Sequence, residues 1–226
     1  MTPSAVQVDL APPENNPHFP ILLLIFKEDI PMRIVLASQS PRRRELLERM
    51  GITEFEVIPA EGDETADPAL SPAELVEELS RQKAEEVAQK VPGALVIAAA
   101  TVVSVDGKVL GKPGSKAQAV EMLTALSGRS HHVYTGFTVR MGDKIVTAHE
   151  DTAVTFRSLT PDEIAAYVAT GEPMDKAGSY GIQGFGCVLV SGIQGDYYNV
   201  VGLPVCALFQ VLEQFGVNGL TGKAAQ

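Results

Sequence analysis

The sequence has little cysteine and little basic charge, and each shortage excludes a class of protein. Cys187 and Cys206, the two cysteines, lie in apolar contexts, so we expect buried free thiols rather than a disulfide or a metal pair. Such cysteine usage fits a reducing, cytoplasmic compartment. The 18 Lys and Arg against 28 Asp and Glu leave a net charge of −10. This balance disfavours a protein that wraps nucleic acid, because phosphate contacts need a basic surface. A small phosphorylated ligand stays open, since it needs only a few focused cations.

Several signatures of chemistry are missing as well. The chain has no Walker loop, GxxxxGK[ST], and no GxGxxG that follows a strand and opens a helix. Its four histidines, at positions 18, 131, 132 and 149, show no metal-ligand spacing, and no Ser-His-Asp triad can be assembled. The apolar run PILLLIF, residues 20–26, is far shorter than the roughly 20 residues that span a bilayer. It has no basic stretch before it and no cleavage site after it, so we predict no membrane partner.

Residues 1–31 differ from the rest of the chain, because they contain six of the 15 prolines. We interpret them as an N-terminal extension, flexible or an artefact of the assigned start, with Met32 as an alternative first residue. An ordered extension that packs on the domain through PILLLIF is the competing interpretation. We expect the folded domain to span 32–217 and a polar tail to follow at 218–226.

Apolar runs and turn residues predict a mixed α/β (α+β) domain. The hydrophobic content of 45% and the charged content of 20% are typical of a globular protein. The order is βαβαβ, followed by hairpins and helices, which favours a twisted mixed sheet flanked by helices. Strands are expected at 33–37, 55–59, 94–99, 131–140, 144–156, 188–193 and 197–202, with a hairpin over 102–110. Helices are expected at 41–50, 71–90, 115–126, 160–170 and 204–215.

The segment Ser38-Gln39-Ser40-Pro41, followed by three arginines, predicts an anion site. It lies where the first strand ends and the first helix begins, with Ser40 as candidate N-cap and Pro41 at the first helical position. Backbone N–H groups favour an anion there, and Arg42 and Arg43 add donors for phosphate oxygens. Basic residues are unfavourable at a helix N-terminus, so three in a row indicate that an anion binds there and compensates their charge. The alternative is a capped helix with a solvated basic first turn.

Carboxylates and lysines elsewhere add to this hypothesis. The loop with Glu61, Asp63 and Glu64 groups oxygen donors of the kind that Mg²⁺ prefers, although a solvated acidic loop is the alternative. Lys83, on the second helix, and Lys112, in a Gly-Lys-Pro loop, are candidates for phosphate contacts. Single lysines usually face solvent, and Lys112 is the more suggestive because glycine and proline shape its loop.

Six segments together resemble the Maf family, also called septum-formation proteins, which are nucleoside triphosphate pyrophosphatases. They keep the family's order and spacing over most of the chain: LASQSPRRRELLERMGI (36–52), RQKAEEVA (81–88), VDGKVLGKP (105–113), LSGRSHHVYTG (126–136), GEPMDKAGSYGIQG (171–184) and GDYYNVVGLP (195–204). The resemblance implies a Maf/inosine-triphosphatase-like fold of two lobes with a central cleft. The YGIQG and GDYYNVVGLP strings are similar to the subgroup that acts on dTTP, UTP and related pyrimidine nucleotides, including modified forms.

One position departs from the family pattern. The motif at 98–101 reads Gly/Ala-Ala-Asp-Thr in the family, where the Asp is thought to act as catalytic base or metal ligand. This chain has Ala100 at that place, while Thr101 and the surrounding segments match. Decay erodes several site residues together, so we interpret the single change as an engineered inactivating substitution, with a natural inactive variant as the alternative.

The resemblance also implies roles for the candidate residues. The triphosphate contacts would come from Ser38, Ser40, Arg42, Arg43, Lys83 and Lys112. Asp63 and Glu64, where the subgroup commonly has Glu-Glu, would hold Mg²⁺ or Mn²⁺ beside a water that attacks the α-phosphorus and releases pyrophosphate. The implied catalytic set is Asp63, Glu64, Lys83 and the position of Ala100. Gln183 and its loop would read the base, and Asp196 is a weaker substrate-binding candidate whose alternative role is that of a turn residue.

Two functions stay open from the sequence. The first is a house-cleaning nucleotide pyrophosphatase, impaired in this form by Ala100. The second is a non-catalytic nucleotide-binding sensor linked to cell division. A nucleoside triphosphate is the ligand in both, and a homodimer is expected.

Overall fold

The computed structural model describes residues 32–62 and 65–222. The expectations for the extension 1–31, for Asp63 and Glu64, and for residues 223–226 of the tail lie outside the described residues.

The helices begin where the sequence places caps. Ser71 and Thr160 each accept a hydrogen bond from the backbone N–H three residues later, and the Glu at that position accepts one from the cap's own N–H. Ser40 caps the first helix, and Pro41 begins it. The helices are α1 (Pro41–Arg49), α2 (Pro72–Lys90), α3 (Lys116–Leu126), α4 (Pro161–Ala169), α5 (Tyr197–Val201) and α6 (Val205–Gln214). None of the helices in the described ranges combines the length and the apolar character that crossing a bilayer requires.

Seven strands of the described chain form one mixed sheet. They are β1 (Ile34–Leu36), β2 (Glu56–Val57), β3 (Leu95–Val105), β4 (Lys108–Leu110), β5 (Ser130–Met141), β6 (Lys144–Phe156) and β7 (Val190–Gln194). Their order is β2-β1-β3-β5-β6-β7, and β4 pairs with the far end of β3. β1 is parallel to β2 and β3, and α1 and α2 provide the crossovers that parallel neighbours need. The other pairs are antiparallel. The predicted mixed sheet flanked by helices is confirmed.

Different helices cover the two faces of the sheet. Along β3, Val96 and Ala98 pack with Val87 and other residues of α2, whereas Leu95 and Ile97 pack with α1 and α6. Farther along the second face, a separate cluster joins β3, β5 and β6 to α3 and α4. The sheet therefore has α2 on one face and two distinct groups of helices on the other.

The long strand β3 lacks a strand partner along part of one edge. β1 pairs with it only at residues 95–97, and β4 pairs with it only at residues 103–105. Within the described residues no strand pairs with 98–102 on that edge, while β5 pairs with the opposite edge over 96–104. The chain leaves β1 at one end of this gap and leaves β4 at the other. The start of α1 and the Lys112 loop therefore both lie beside residues 98–102 of β3.

One strand prediction was too short and another was wrong. The sequence predicts a strand at 94–99 and a separate hairpin over 102–110; the hairpin is confirmed, but β3 runs without a break to Val105 and has Ala100 in its middle. The residues around Ala100 are small or β-branched and contain no turn former, so nothing ends the strand there. Residues 197–201 form a helix instead of a strand, because the Asp196 carboxylate caps them by accepting from the Tyr198 N–H. Tyr and Val favour strands only where a pleated surface is available, and here the chain has already left the sheet.

The cysteines are free, as predicted, but neither is buried. Cys187 lies in a short 3-10 turn in which Phe185 and Val188 are exposed as well. Cys206 lies on α6, about half a turn away from the buried face that contains Leu208. Apolar sequence neighbours misled the prediction, because a large share of a folded protein's surface is apolar.

Gly136, in the middle of β5, lets α2 approach the sheet. A Cβ at this position would lie 2.3 Å from the Val76 carbonyl oxygen. We expect Gly136→Ala to lower the free energy of unfolding by about 1–3 kcal/mol, as overpacking does. Urea unfolding measures the change. Gly192→Ala in β7 is the matched control, since its Cβ would make an ordinary 3.9 Å contact with Thr155. Equal stabilities for the two variants would contradict the prediction.

Candidate active site

A cavity of about 930 Å³ lies in the gap beside β3. The unpaired stretch of β3 forms its floor, which includes Ala100 and Thr101. Its walls come from the loop between β1 and α1, the loop after β4 and the glycine-rich segment 176–184, and α2 closes one side. A cavity of this size accommodates a small organic ligand.

The structure brings most of the predicted site residues together. The cavity is lined by Ser38, Ser40, Arg42, Arg43, Lys83, Ala100, Lys112 and Gln183. Asp196 is not among the lining residues: its carboxylate caps α5, 2.8 Å from the Tyr198 nitrogen. Glu61 also lies apart from the cavity lining, near Lys90 of α2. The structure therefore unites the basic candidates and leaves Asp196 as the turn residue of the alternative interpretation.

Arg43 is held by three segments of the chain. Its Nε donates to the Gly202 carbonyl at 2.7 Å, its Nη2 to Thr101 Oγ1 at 3.0 Å and its Nη1 to Ser38 Oγ at 3.2 Å. These acceptors lie after α5, within β3 and after β1. A guanidinium has donors in fixed directions, so three such contacts hold it in one orientation. Arg43 therefore joins the parts of the cavity as well as charging it.

Arg42 presents its charge differently. Its Nη1 lies 3.3 Å from Asp175 Oδ2, in an ion pair at the cavity surface. Exposed pairs of this kind contribute little to stability, so an anionic ligand can compete with Asp175 for the guanidinium. Arg44, the next in the run, pairs with Glu48 one turn later and does not line the cavity. Of the three consecutive arginines, Arg42 and Arg43 thus line the cavity and Arg44 faces solvent.

The cavity is cationic although the chain as a whole is acidic. Among the described residues, its lining includes five basic ones, Arg42, Arg43, Lys83, Lys112 and Lys176. The same part of the chain contributes two acidic lining residues, Glu172 and Asp175. In a chain with a net charge of −10, this local excess of positive charge attracts a small anion to one place.

Ala100 lies on the face of β3 that meets α2. Its side chain packs in an apolar cluster with Val76 and Leu79 and is 3% exposed. Lys83, one turn after Leu79, lines the same cavity. A methyl group at this place can neither accept a proton nor bind a metal ion.

The described residues do not by themselves form a site for a divalent cation. They contain no group of three or more His, Cys, Asp or Glu side chains that could hold a metal ion. Of the carboxylates that line the cavity, Asp175 is paired with two basic side chains, and Glu172 accepts hydrogen bonds from Tyr167 and from backbone N–H groups. A cation would have to displace these donors. The predicted ligands Asp63 and Glu64 are the remaining candidates.

Comparison with known proteins shows which family the chain belongs to. A family model described as Maf-like protein matches residues 33–215. The chain belongs to the Maf family. A dTTP/UTP pyrophosphatase of Symbiobacterium thermophilum is 54% identical over 192 residues, which cover 85% of this chain and 98% of that protein. One of Moorella thermoacetica is 56% identical over 189 residues, covering 82% and 96%. One of Bacillus anthracis is 52% identical over 186 residues, covering 82% and 97%. The resemblance inferred from the sequence is confirmed.

Several residues that line the cavity were not named individually as site residues by the sequence analysis, among them Glu172, Asp175, Lys176 and Tyr180. These four lie within the quoted GEPMDKAGSYGIQG segment, so their position near Gln183 was the available signal. The segment is tied to the Lys112 loop, because the Gly178 N–H donates to the Gly111 carbonyl at 3.1 Å. Sequence proximity alone did not indicate which of these side chains face the cavity.

Tyr180 is held at the cavity by a buried aromatic cluster. Its hydroxyl lies 2.8 Å from His131 Nε2, and both rings meet Phe156 edge-on. His131 is 1% exposed, and its Nδ1 makes no hydrogen bond within the described residues. Burial, with a smaller effect of His132, lowers the pKa of His131 from 6.5 to about 4. The imidazole is therefore neutral near pH 7.

This lowered pKa makes stability depend on pH. Between pH 6.5 and about 4, His131 binds a proton in the unfolded chain but not in the folded one. Its contribution is thus present above pH 6.5 and is lost as the pH falls toward 4. A pKa change of this size corresponds to about 3 kcal/mol.

We expect His131→Gln to flatten the stability profile over this pH range, as measured by urea unfolding at a series of pH values. His132→Gln is the control, since His132 is half-exposed and pairs with Asp151 at the surface. The same slope in the parent and in His131→Gln would show that this histidine does not carry the pH dependence.

Proposed function

We propose that this cavity binds dTTP, UTP or related pyrimidine nucleoside triphosphates, including modified forms, and is built to hydrolyse them to the monophosphate and pyrophosphate. The observation that carries the proposal is the cationic cavity, in which Arg42, Lys83 and Lys112 line the gap beside β3. The names of the three relatives, all dTTP/UTP pyrophosphatases, support the choice of base and reaction.

The triphosphate would occupy the basic side of the cavity. Arg42 can exchange its exposed pairing with Asp175 for phosphate oxygens, and Ser38 and Ser40 lie beside the start of α1. Hydrolysis adds water to the α-phosphorus and breaks the bond to the oxygen that bridges it to the β-phosphorus. The leaving pyrophosphate takes that electron pair, and the lysines and arginines stabilise the charge that develops on it.

Residue 100 sets the rate of this reaction. A carboxylate there could orient or deprotonate the attacking water, and the methyl group of Ala100 cannot. Asp63 and Glu64 would hold Mg²⁺ or Mn²⁺, which neutralises phosphate charge when bound. We infer that the chain binds its substrate and turns it over slowly. Whether the alanine is engineered or natural is decided by the codon at this position in the native gene.

The apolar surroundings of Ala100 favour a second candidate function. The side chain packs with Val76 and Leu79, while five basic residues of the described chain line the cavity. This combination suits a nucleotide-binding sensor, linked to cell division, that needs no turnover. The two functions differ in what restoring an acid does.

Three wider expectations stay predictions from the sequence. They are a pyrophosphatase domain bounded at 32–217, a homodimer and a cytoplasmic location.

Restoring an acid at position 100 tests the catalytic assignment. With Mg²⁺ or Mn²⁺, we expect Ala100→Asp to raise pyrophosphate release from dTTP and UTP by about 100-fold or more, the usual contribution of a general base. Ala100→Asn has nearly the same shape without a basic carboxylate, so it should stay at the parent rate. GTP and 7-methyl-GTP, assayed in parallel, measure base preference. Nucleotide binding without turnover in every variant would favour the sensor.

Neighbouring arginines offer a matched test of the triphosphate site. Arg42→Gln removes a charge that lines the cavity, and we expect it to weaken UTP binding by about tenfold or more. Arg44→Gln removes the same charge from the solvent side of α1 and should change binding by no more than about twofold. Titration calorimetry at one fixed salt concentration measures both. Equal losses would mean that only the overall charge matters and would count against Arg42 as a phosphate ligand.

A further inference from the structure

One carboxylate holds the loop that carries Gln183. Glu172 Oε2 accepts from the Phe185 N–H at 2.7 Å, and Glu172 Oε1 accepts from the Gly186 N–H at 3.1 Å. These donors follow Gln183 and Gly184, which line the cavity, and Glu172 lines it too. The carboxylate thus ties the later side of the loop to the 3-10 turn after α4.

Tyr167 ties the earlier side of the loop to the same carboxylate. Its hydroxyl donates to Glu172 Oε1 at 2.9 Å and accepts from the Gly181 N–H at 3.1 Å. The Tyr167 side chain is buried in α4 packing. Gly181 before Gln183 and Phe185 after it are therefore both connected to one carboxylate–hydroxyl pair, which we call the Glu172–Tyr167 clamp.

Close packing leaves the clamp little freedom. A Cβ at Gly184 would lie 2.2 Å from Glu172 Oε2, and one at Gly186 would lie 2.7 Å from the Tyr167 hydroxyl. Burial raises the pKa of Glu172. Hydrogen bonds from the Gly186 and Phe185 N–H groups and from Tyr167 have the opposite and larger combined effect, so the pKa lies below its usual value. The carboxyl is therefore ionised near neutral pH, and hydrogen bonds to an ionised acceptor are the stronger kind.

We propose that Glu172 is a positioning residue that sets base selectivity. It holds the Gln183 loop in a position that leaves the cavity wide enough for a pyrimidine base and too narrow for a purine. The inference rests on the proposed function, because it takes a nucleotide as the ligand. Ile182 packs in the core on the earlier side of Gln183, whereas on the later side Gly184 and Gly186 have no side chains to pack and Phe185 is exposed. The position of that later side therefore depends on its backbone hydrogen bonds to Glu172. A purine is larger by a fused ring, and a loosened loop would give it room.

Titration of Glu172→Gln with UTP and with GTP tests the proposal by binding alone. The Phe185 and Gly186 N–H groups donate to different oxygens of Glu172, and in Gln one of these two positions becomes an NH2 group, which cannot accept a hydrogen bond. We expect the preference for UTP over GTP, taken as the ratio of dissociation constants, to fall about tenfold. Glu163→Gln is the matched control. Glu163 also accepts a backbone N–H, from Thr160 at 2.8 Å, but it caps α4 and does not line the cavity. Its loss should leave the ratio unchanged.

Two further variants separate positioning from general stability. Tyr167→Phe removes only the hydroxyl of the clamp, and we expect a smaller fall of the ratio in the same direction; this variant decides the question if Glu172→Gln does not fold. In a Gln183→Ala background, Glu172→Gln should no longer change the ratio, because coupled residues are not additive.

An unchanged ratio in the clamp variants, an equal loss of affinity for UTP and GTP, or additive effects with Gln183→Ala would each overturn the inference. Failure of the parent chain to bind any nucleotide would overturn the proposed function and this inference with it. Binding by the parent with an unchanged ratio in the variants would overturn the inference alone.

Discussion

The cavity depends on the three hydrogen bonds of Arg43, because they join segments that the sheet leaves apart. β1 ends before the gap, and Arg43 connects the start of α1 to β3 through its hydrogen bond to Thr101. One of the acceptors, Thr101 Oγ1, also lies 3.0 Å from Thr135 Oγ1, and Thr135 donates to the Asn199 carbonyl at 2.9 Å. The polar contacts thus run from the cavity across β3 and β5 to α5. Loss of the guanidinium would leave part-buried acceptors without their donor. The free-energy cost of such an unsatisfied acceptor exceeds the net stabilisation that its hydrogen bond provides.

A second constraint is the pairing of β3 with β5 behind the cavity. Ala100 pairs with Gly136, and the missing side chain of Gly136 lets α2 come within contact of the sheet. Residue 100 is therefore placed on a paired strand rather than on a loop, where a reacting group would keep its position without help from a ligand. In this chain the place is occupied by a methyl group. Basic side chains line the cavity beside it, and a methyl group cannot orient or deprotonate a water molecule.

Charges of opposite sign hold the two sides of the cavity. Arg43 binds carbonyl and hydroxyl oxygens on the side where the triphosphate would lie. Glu172 binds backbone N–H groups on the side of Gln183. Both side chains make hydrogen bonds to polar groups of the fold, while the ion pair between Arg42 and the exposed Asp175 is left to respond to a ligand. The stable part of the site and its adaptable part thus use the same residue types with different partners.

The sequence by itself determined the family, the starts of the longer helices and a set of candidate residues for the site. Ser40, Ser71 and Thr160 act on backbone groups within three residues, so their role is visible in the local pattern. Only the tertiary structure decided which basic residues face the cavity, that Ala100 lies in mid-strand, and that Asp196 is a cap. It also made Glu172 the anchor of a loop. Contacts such as Arg43 to Gly202, 159 residues apart, leave no periodic signal, because they depend on how the elements pack and not on what precedes or follows each residue.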